Sequence, residues 1–185
     1  FVNANGLHDP EHYTTARDLA NIAREAFKNE TFRKIIATEY YIEPKTNITD
    51  EERWLNNHHK MLVSGDLHYD GCLGGKTGYT SDAGNSLVTY AQRNGMYLIS
   101  VVLADNAVYQ YPDTAALLDY GFSNFHKTVL AQKGEIRCLK PLPIEHYLYN
   151  LTKSKMMTRY TDTATANLPA NLPAEDLTRK TTLDK

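Results

Sequence analysis

Asn85-Ser86-Leu87-Val88-Thr89-Tyr90-Ala91, then Arg93-Asn94-Gly95, then Tyr97-Leu98-Ile99-Ser100-Val101-Val102-Leu103-Ala104 is the stretch that decides the fold. Two runs rich in β-branched, aromatic and apolar residues flank an Asn-Gly pair. Asn and Gly accept the positive φ angles that a tight two-residue hairpin turn demands, so the stretch predicts an antiparallel β-hairpin. The second run is apolar at nearly every position, the pattern of a strand buried on both faces, and it predicts a central strand.

Working outward, Asp70-Gly71 is a turn signal and Gly71 to Thr80 leads into the hairpin. Downstream, Pro112 suits a first helical turn, and Ala115, Leu118, Phe122 and Phe125 then share one face of a helix running to Phe125. Upstream, Thr14 or Thr15 can cap a helix, and Asp18 resembles the acidic member of a capping box. Leu19, Ile22, Ala23, Ala26 and Phe27 follow with the spacing of one buried helical face. Thr31 to Thr38 predicts a second helix. Tyr40 to Lys45 is extended, with Pro44 confining it to an edge or an end. Glu51 to Leu62 reads as a short helix entering a loop.

Helices, a strand, a hairpin and a helix in that order give α+β rather than alternating βαβ. After His126 the character changes, and we place a domain boundary near residues 124 to 130. Ile136 to Leu139 and Tyr147 to Leu151 are short strand candidates. Thr161 to Ala174 is rich in Thr, Ala, Asn and Pro, and reads as a linker or irregular segment.

The 185 residues fit one domain or one plus part of another, and a hydrophobic fraction of 42% allows a packed core. Twenty basic against 22 acidic residues leave a formal net charge of -2, with no basic stripe for nucleic acid. No apolar run approaches the roughly 18 residues that span a bilayer. Two cysteines, Cys72 and Cys138, make no disulfide framework, and we read them as free thiols. The chain opens at Phe1 without a leader and stops at Lys185 within polar sequence, so we read it as a segment of a longer protein.

The chemistry concentrates in Gly74-Gly75-Lys76-Thr77-Gly78-Tyr79-Thr80. A nucleotide phosphate loop would need a glycine at position 70, where Asp70 stands, and would have to open a helix. Here strand-like sequence follows, which sets that reading aside. The other reading is a strand along the wall of an active site. A lysine ammonium beside a serine nucleophile supplies positive potential and relays protons. A threonine hydroxyl can bond a substrate carboxylate, a glycine leaves room for substrate backbone, and the next backbone N–H can help hold an oxyanion. Lys-Thr-Gly is an element of serine penicillin-binding and β-lactamase active sites.

With its surroundings, this region resembles the low-molecular-mass D-alanyl-D-alanine carboxypeptidases, a family of penicillin-binding serine peptidases. The blocks that carry the resemblance are Asn3-Ala4-Asn5-Gly6-Leu7, His12 to Ala20, Gly74 to Thr80 with Ala83-Gly84, and Leu117 to Phe122. The resemblance covers residues 1 to about 125 and implies a serine β-lactamase/transpeptidase-like fold, an antiparallel sheet with helices on both faces. Residues 1–125 would be the C-terminal portion of the catalytic domain, and 126–185 a linker and the start of a small β domain. It implies serine-type trimming of the terminal D-alanine of peptidoglycan stem peptides outside the cytoplasmic membrane, with β-lactams as inhibitors. It implies no metal or organic cofactor and no nucleic-acid partner. Any membrane association would come from other parts of the parent.

The same resemblance assigns Lys76 as catalytic and Lys76, Thr77, Gly78, Tyr79 and Thr80 as substrate-binding. The family's Ser-x-x-Lys nucleophile and Ser-x-Asn motifs are absent from the chain and would precede Phe1. A family arginine that assists carboxylate binding would fall at about Gln110. A β-lactamase and a non-catalytic peptidoglycan-binding relative are the competing readings. Elsewhere, His12 reads as a packing residue at the helix start, His58-His59 as a solvated pair, and Arg17 and Asp18 as capping and surface residues.

Overall fold

The computed structural model describes residues 1–134, 136–138, 157–159 and 163–172, with only the backbone at 136–138, 157–159 and 164. The chain divides into two units, Phe1–Ser123 and Asn124–Lys185.

The first unit starts with two capped helices. In α1 (Ala16–Ala26), Thr15 is the N-cap: its hydroxyl oxygen accepts the Asp18 N–H and donates to the Asp18 carboxylate at 2.9 Å. In α2 (Glu30–Ile36), the Asn29 side chain accepts the Phe32 N–H at 3.1 Å. A small hairpin of β1 (Tyr40–Glu43) and β2 (Arg53–Asn56) follows. The strand over Arg53–Asn56 corrects the expectation of a helix there. Its helical reading was local, whereas its structure is set across the hairpin: Trp54 pairs with Ile42 and stacks on Tyr40, and Arg53 bridges to Glu43 at 2.6 Å.

The main sheet comprises β3 (Cys72–Thr80), β4 (Gly84–Arg93) and β5 (Met96–Asp105), antiparallel and in that order. At the β4–β5 turn Asn94 and Gly95 have φ of 50° and 76°, as the Asn-Gly pair predicts. Among these three strands β4 is the middle one. Among the described residues β5 pairs with β4 alone, and its apolar run packs on both faces. Helix α3 (Gln110–Asn124) follows β5.

Side-chain alternation along the strands sends two clusters to opposite faces. Leu87, Ala91 and Val102 pack with Leu118 of α3, Met61, Tyr69 and Tyr111. Val88, Tyr90 and Ile99 pack with Ala23 of α1, with Phe27 that caps its C-terminus, and with Phe32 and Ile36 of α2. The sheet therefore carries helices on both faces, as expected. Leu87 is fully buried, a gain of about 2 kcal/mol for such a side chain. On α1 and its C-cap, Ala23 and Phe27 meet the sheet, and the Ala23 carbonyl accepts the Tyr90 hydroxyl at 2.9 Å. Ile22, expected on the buried face, is instead 51% exposed in a cleft it shares with Phe1 and Tyr13.

In the second unit, β6 (Phe125–Ala131) pairs with β9 (Ala164–Pro169), and β7 (Ile136–Cys138) pairs with β8 (Met157–Arg159), both antiparallel. Strand β9 overturns the linker expected over Thr161 to Ala174. Its polar composition carries little strand signal, and the register with β6, 33 or more residues earlier, supplies it. The strand expected at Tyr147 to Leu151 lies outside the described residues.

Candidate active site

Lys76 to Thr80 form the outer half of β3, which has β4 on one side and, among the described residues, no strand on the other. Directly opposed residues on paired strands share a face. Lys76 opposes Val88 and Thr77 opposes Leu87, so the two side chains leave opposite faces and flank the same open edge. Lys76 is exposed, and its Nζ donates to the Thr77 carbonyl at 2.5 Å. Thr77 is half-buried, and Tyr79 is 70% exposed.

The glycines of this strand divide into two kinds. Gly74 has φ of 104°, and a Cβ there would lie 2.1 Å from the carbonyl oxygen of Ile36 at the end of α2. A Cβ on Gly75 would lie 1.9 Å from the Val88 carbonyl oxygen and 2.9 Å from the His59 ring. Both glycines are required by internal packing, as a strand against its neighbours, and not by a bound phosphate. At Gly78 the nearest atom to an added Cβ, the Ser86 Cβ, is 3.9 Å away. Nothing inside the described chain demands glycine there, and the sheet face over it is open.

The turn after Thr80 meets the N-terminal loop. Asn3 shapes that loop by accepting the N–H groups of Gly6 and Leu7 at 2.9 and 3.0 Å. His8 then reaches Asp82 at 3.7 Å, an exposed pair of small energetic weight. His12 takes the packing role expected of it: it accepts the Val2 N–H at 3.1 Å and meets the Phe1 ring edge-on. Gln110, where the resemblance places a carboxylate-binding arginine, is buried at the start of α3, and its amide contacts the Ala107 carbonyl at 3.5 Å. Cys72 is a free thiol, half-buried, with its pKa pushed up by that burial. The side chain of Cys138 lies outside the described residues.

The solvated pair expected at His58-His59 is half wrong. His58 is exposed, but His59 is 1% exposed and its Nε2 lies 2.9 Å from the Thr89 hydroxyl. Burial pushes its pKa down to about 4, so the ring is neutral near pH 7. Nothing in the local sequence singles it out, because its partners are 16 and 30 residues away.

The family model described as D-alanyl-D-alanine carboxypeptidase matches residues 1–107, which include the open strand edge and both blocks before it. This chain belongs to the D-alanyl-D-alanine carboxypeptidase family. Among curated carboxypeptidases of that name, it is 35% identical over 140 residues to DacA of Haemophilus influenzae and 31% identical over 136 residues to DacF of Bacillus subtilis. Each alignment covers 73% of this chain and 33% of the relative, so the chain spans about a third of their length. Among solved structures, a mutant of a Streptomyces DD-transpeptidase superposes with a TM-score of 0.59 at 33% identity, over 66% of this chain and 47% of that one. The D-alanyl-D-alanine carboxypeptidase of Mycobacterium tuberculosis superposes at 0.51 with 31% identity, over 64% and 44%. The fold is that of the penicillin-binding DD-peptidases.

Proposed function

We propose that this chain is the late part of the catalytic domain of a serine D-Ala-D-Ala carboxypeptidase, followed by the start of a small β domain. A serine from a Ser-x-x-Lys motif outside these 185 residues attacks the carbonyl of the penultimate D-alanine of a peptidoglycan stem peptide. The C–N bond breaks, D-alanine leaves carrying the proton from the serine, and water then hydrolyses the acyl ester and restores the serine hydroxyl. Lys76 supplies positive charge and relays protons, the Thr77 hydroxyl binds the terminal carboxylate, and the Tyr79 N–H joins the oxyanion hole. Gly78 leaves space for the substrate backbone, with Thr80 at the end of the same edge. The reaction needs neither metal nor organic cofactor. Its substrate places the enzyme on the outer face of the cytoplasmic membrane, and β-lactams are its inhibitors.

One observation carries this reading: Lys76 and Thr77 flank an open strand edge at which the glycine, Gly78, answers to no internal packing demand. The test is release of D-alanine from a D-Ala-D-Ala peptide by the full-length protein, with Lys76→Ala lowering the rate by about 10²-fold. Rapid turnover of penicillin would instead make it a β-lactamase. The isolated 185 residues should neither hydrolyse the peptide nor hold a covalent penicillin adduct, and a stable adduct would overturn the placement of the serine.

A further inference from the structure

His59 lies directly behind the Lys76 strand. A Cβ on Gly75 would fall 2.9 Å from both its Cδ2 and its Nε2, so the imidazole rests on the backbone immediately preceding Lys76. Its bonding partner Thr89 is fully buried and opposes Gly75 in the β3–β4 register. The hydroxyl can donate to or accept from Nε2, so the contact holds for either tautomer of a neutral ring.

The segment that carries the ring is held from further sides. The Asn57 side-chain oxygen accepts the His59 backbone N–H at 2.9 Å, while the Asn57 amide donates to the Ile36 and Thr38 carbonyls at 3.2 and 3.0 Å. Tyr111 of α3 meets the imidazole edge-on at 6.2 Å and donates its hydroxyl to the His58 carbonyl at 3.2 Å. Ile36 is also the residue whose carbonyl bounds Gly74. Asn57 thus ties together the two contacts that hold Gly74 and Gly75, and Lys76 and Thr77 continue from them without a break.

We infer that His59 is a positioning residue for the proposed acyl transfer: bonded to Thr89 and seated on Gly75, it sets where β3 lies against β4 and hence where Lys76 and Thr77 stand along the open edge. The inference rests on the acyl-transfer reading above. Its physical basis is the steep dependence of such reactions on placement, where a shift of about 1 Å costs on the order of 10²-fold. The contact of His59 with β3 is at Gly75, so it acts on Lys76 and Thr77 through that residue.

The test uses the full-length protein with three variants, His59→Leu, His59→Gln and Thr89→Val. Leucine fills the space without a polar atom, glutamine can return an amide nitrogen near the Nε2 position, and valine removes only the partner hydroxyl. Acylation by a fluorescent penicillin and kcat for a D-Ala-D-Ala peptide are measured below the melting temperature of each variant and expressed per folded molecule. The expected result is a fall of about 10-fold or more in both rates for His59→Leu and Thr89→Val, and recovery to within about 3-fold of wild type in His59→Gln. A purely structural role would lower the melting temperature and leave the rate per folded molecule unchanged, which would overturn the inference. If His59→Leu does not fold, Thr89→Val decides alone. An inert wild type overturns the acyl-transfer reading and this inference with it, whereas an active wild type with unaffected variants overturns the inference alone.

Discussion

Acidification should destabilise the fold through His59. The group has an ordinary pKa of 6.5, lowered to about 4 in the folded protein by burial. The unfolded chain therefore binds a proton at higher pH than the folded one, so stability must fall as pH drops between those two values. The contribution is fully present above about pH 6.5 and is lost as pH falls toward about 4. A separation of that size corresponds to about 3 kcal/mol, a large share of the roughly 5–15 kcal/mol that holds a domain folded. The protonated ring could still donate to the Thr89 hydroxyl at 2.9 Å, but it would carry a charge in a site with 1% exposure. The assay is urea unfolding of wild type and His59→Gln at a series of pH values from about 7 to about 4. Comparison with the variant cancels the carboxylates and the other histidines. Wild type should lose up to about 3 kcal/mol more than His59→Gln across that range. Stability curves that run parallel, within about 0.5 kcal/mol, would refute the reasoning and mean that water or a nearby acceptor accommodates the charged ring.

Gly75→Ala should abolish recovery of folded protein, because its Cβ would sit 1.9 Å from a backbone oxygen, whereas Gly78→Ala should leave the melting temperature nearly unchanged and slow penicillin acylation about 10-fold or more. Tyr69→Phe should cost about 1 kcal/mol in denaturant unfolding, since it removes a 2.7 Å bond to an Asp119 that stays accessible to water. Asn94→Ala should cost about 1 kcal/mol by the same measurement, because alanine tolerates the φ of 50° less well, while Asn94→Gly should be neutral or better.

Local signals are sufficient where local chemistry decides the outcome. The Thr15 cap, the Asn94-Gly95 turn and the α3 face through Ala115, Leu118 and Phe122 all follow from spacing within a few residues, and the structure contains each of them. Where a distant partner decides, local sequence carries no signal of it. Arg53–Asn56 becomes a strand because Tyr40–Glu43 pairs with it, and Ala164–Pro169 because Phe125–Ala131 does. Ile22 lies on the apolar side of its helix by periodicity, yet the sheet meets α1 and its C-cap through Ala23 and Phe27. In the candidate site, Lys76 to Thr80 could be found as a motif with glycine spacing that excludes a phosphate loop. The contact of His59 with Gly75 could not, since a lone histidine in a polar stretch carries no mark of the residues that will enclose it.

The contrast between the two ends of β3 has a practical use. Residues 74 and 75 admit no substituent, while Tyr79 is 70% exposed on the open edge. A Tyr79→Cys variant carrying an environment-sensitive dye would place a reporter where the proposed peptide substrate would pass, without disturbing the core. Of the two native cysteines, Cys138 would be replaced by serine, and Cys72 would interfere little because it is half-buried and burial keeps it protonated and slow to react. Occupancy of the edge could then be followed optically, even in a protein whose serine had been removed, which separates docking from bond cleavage.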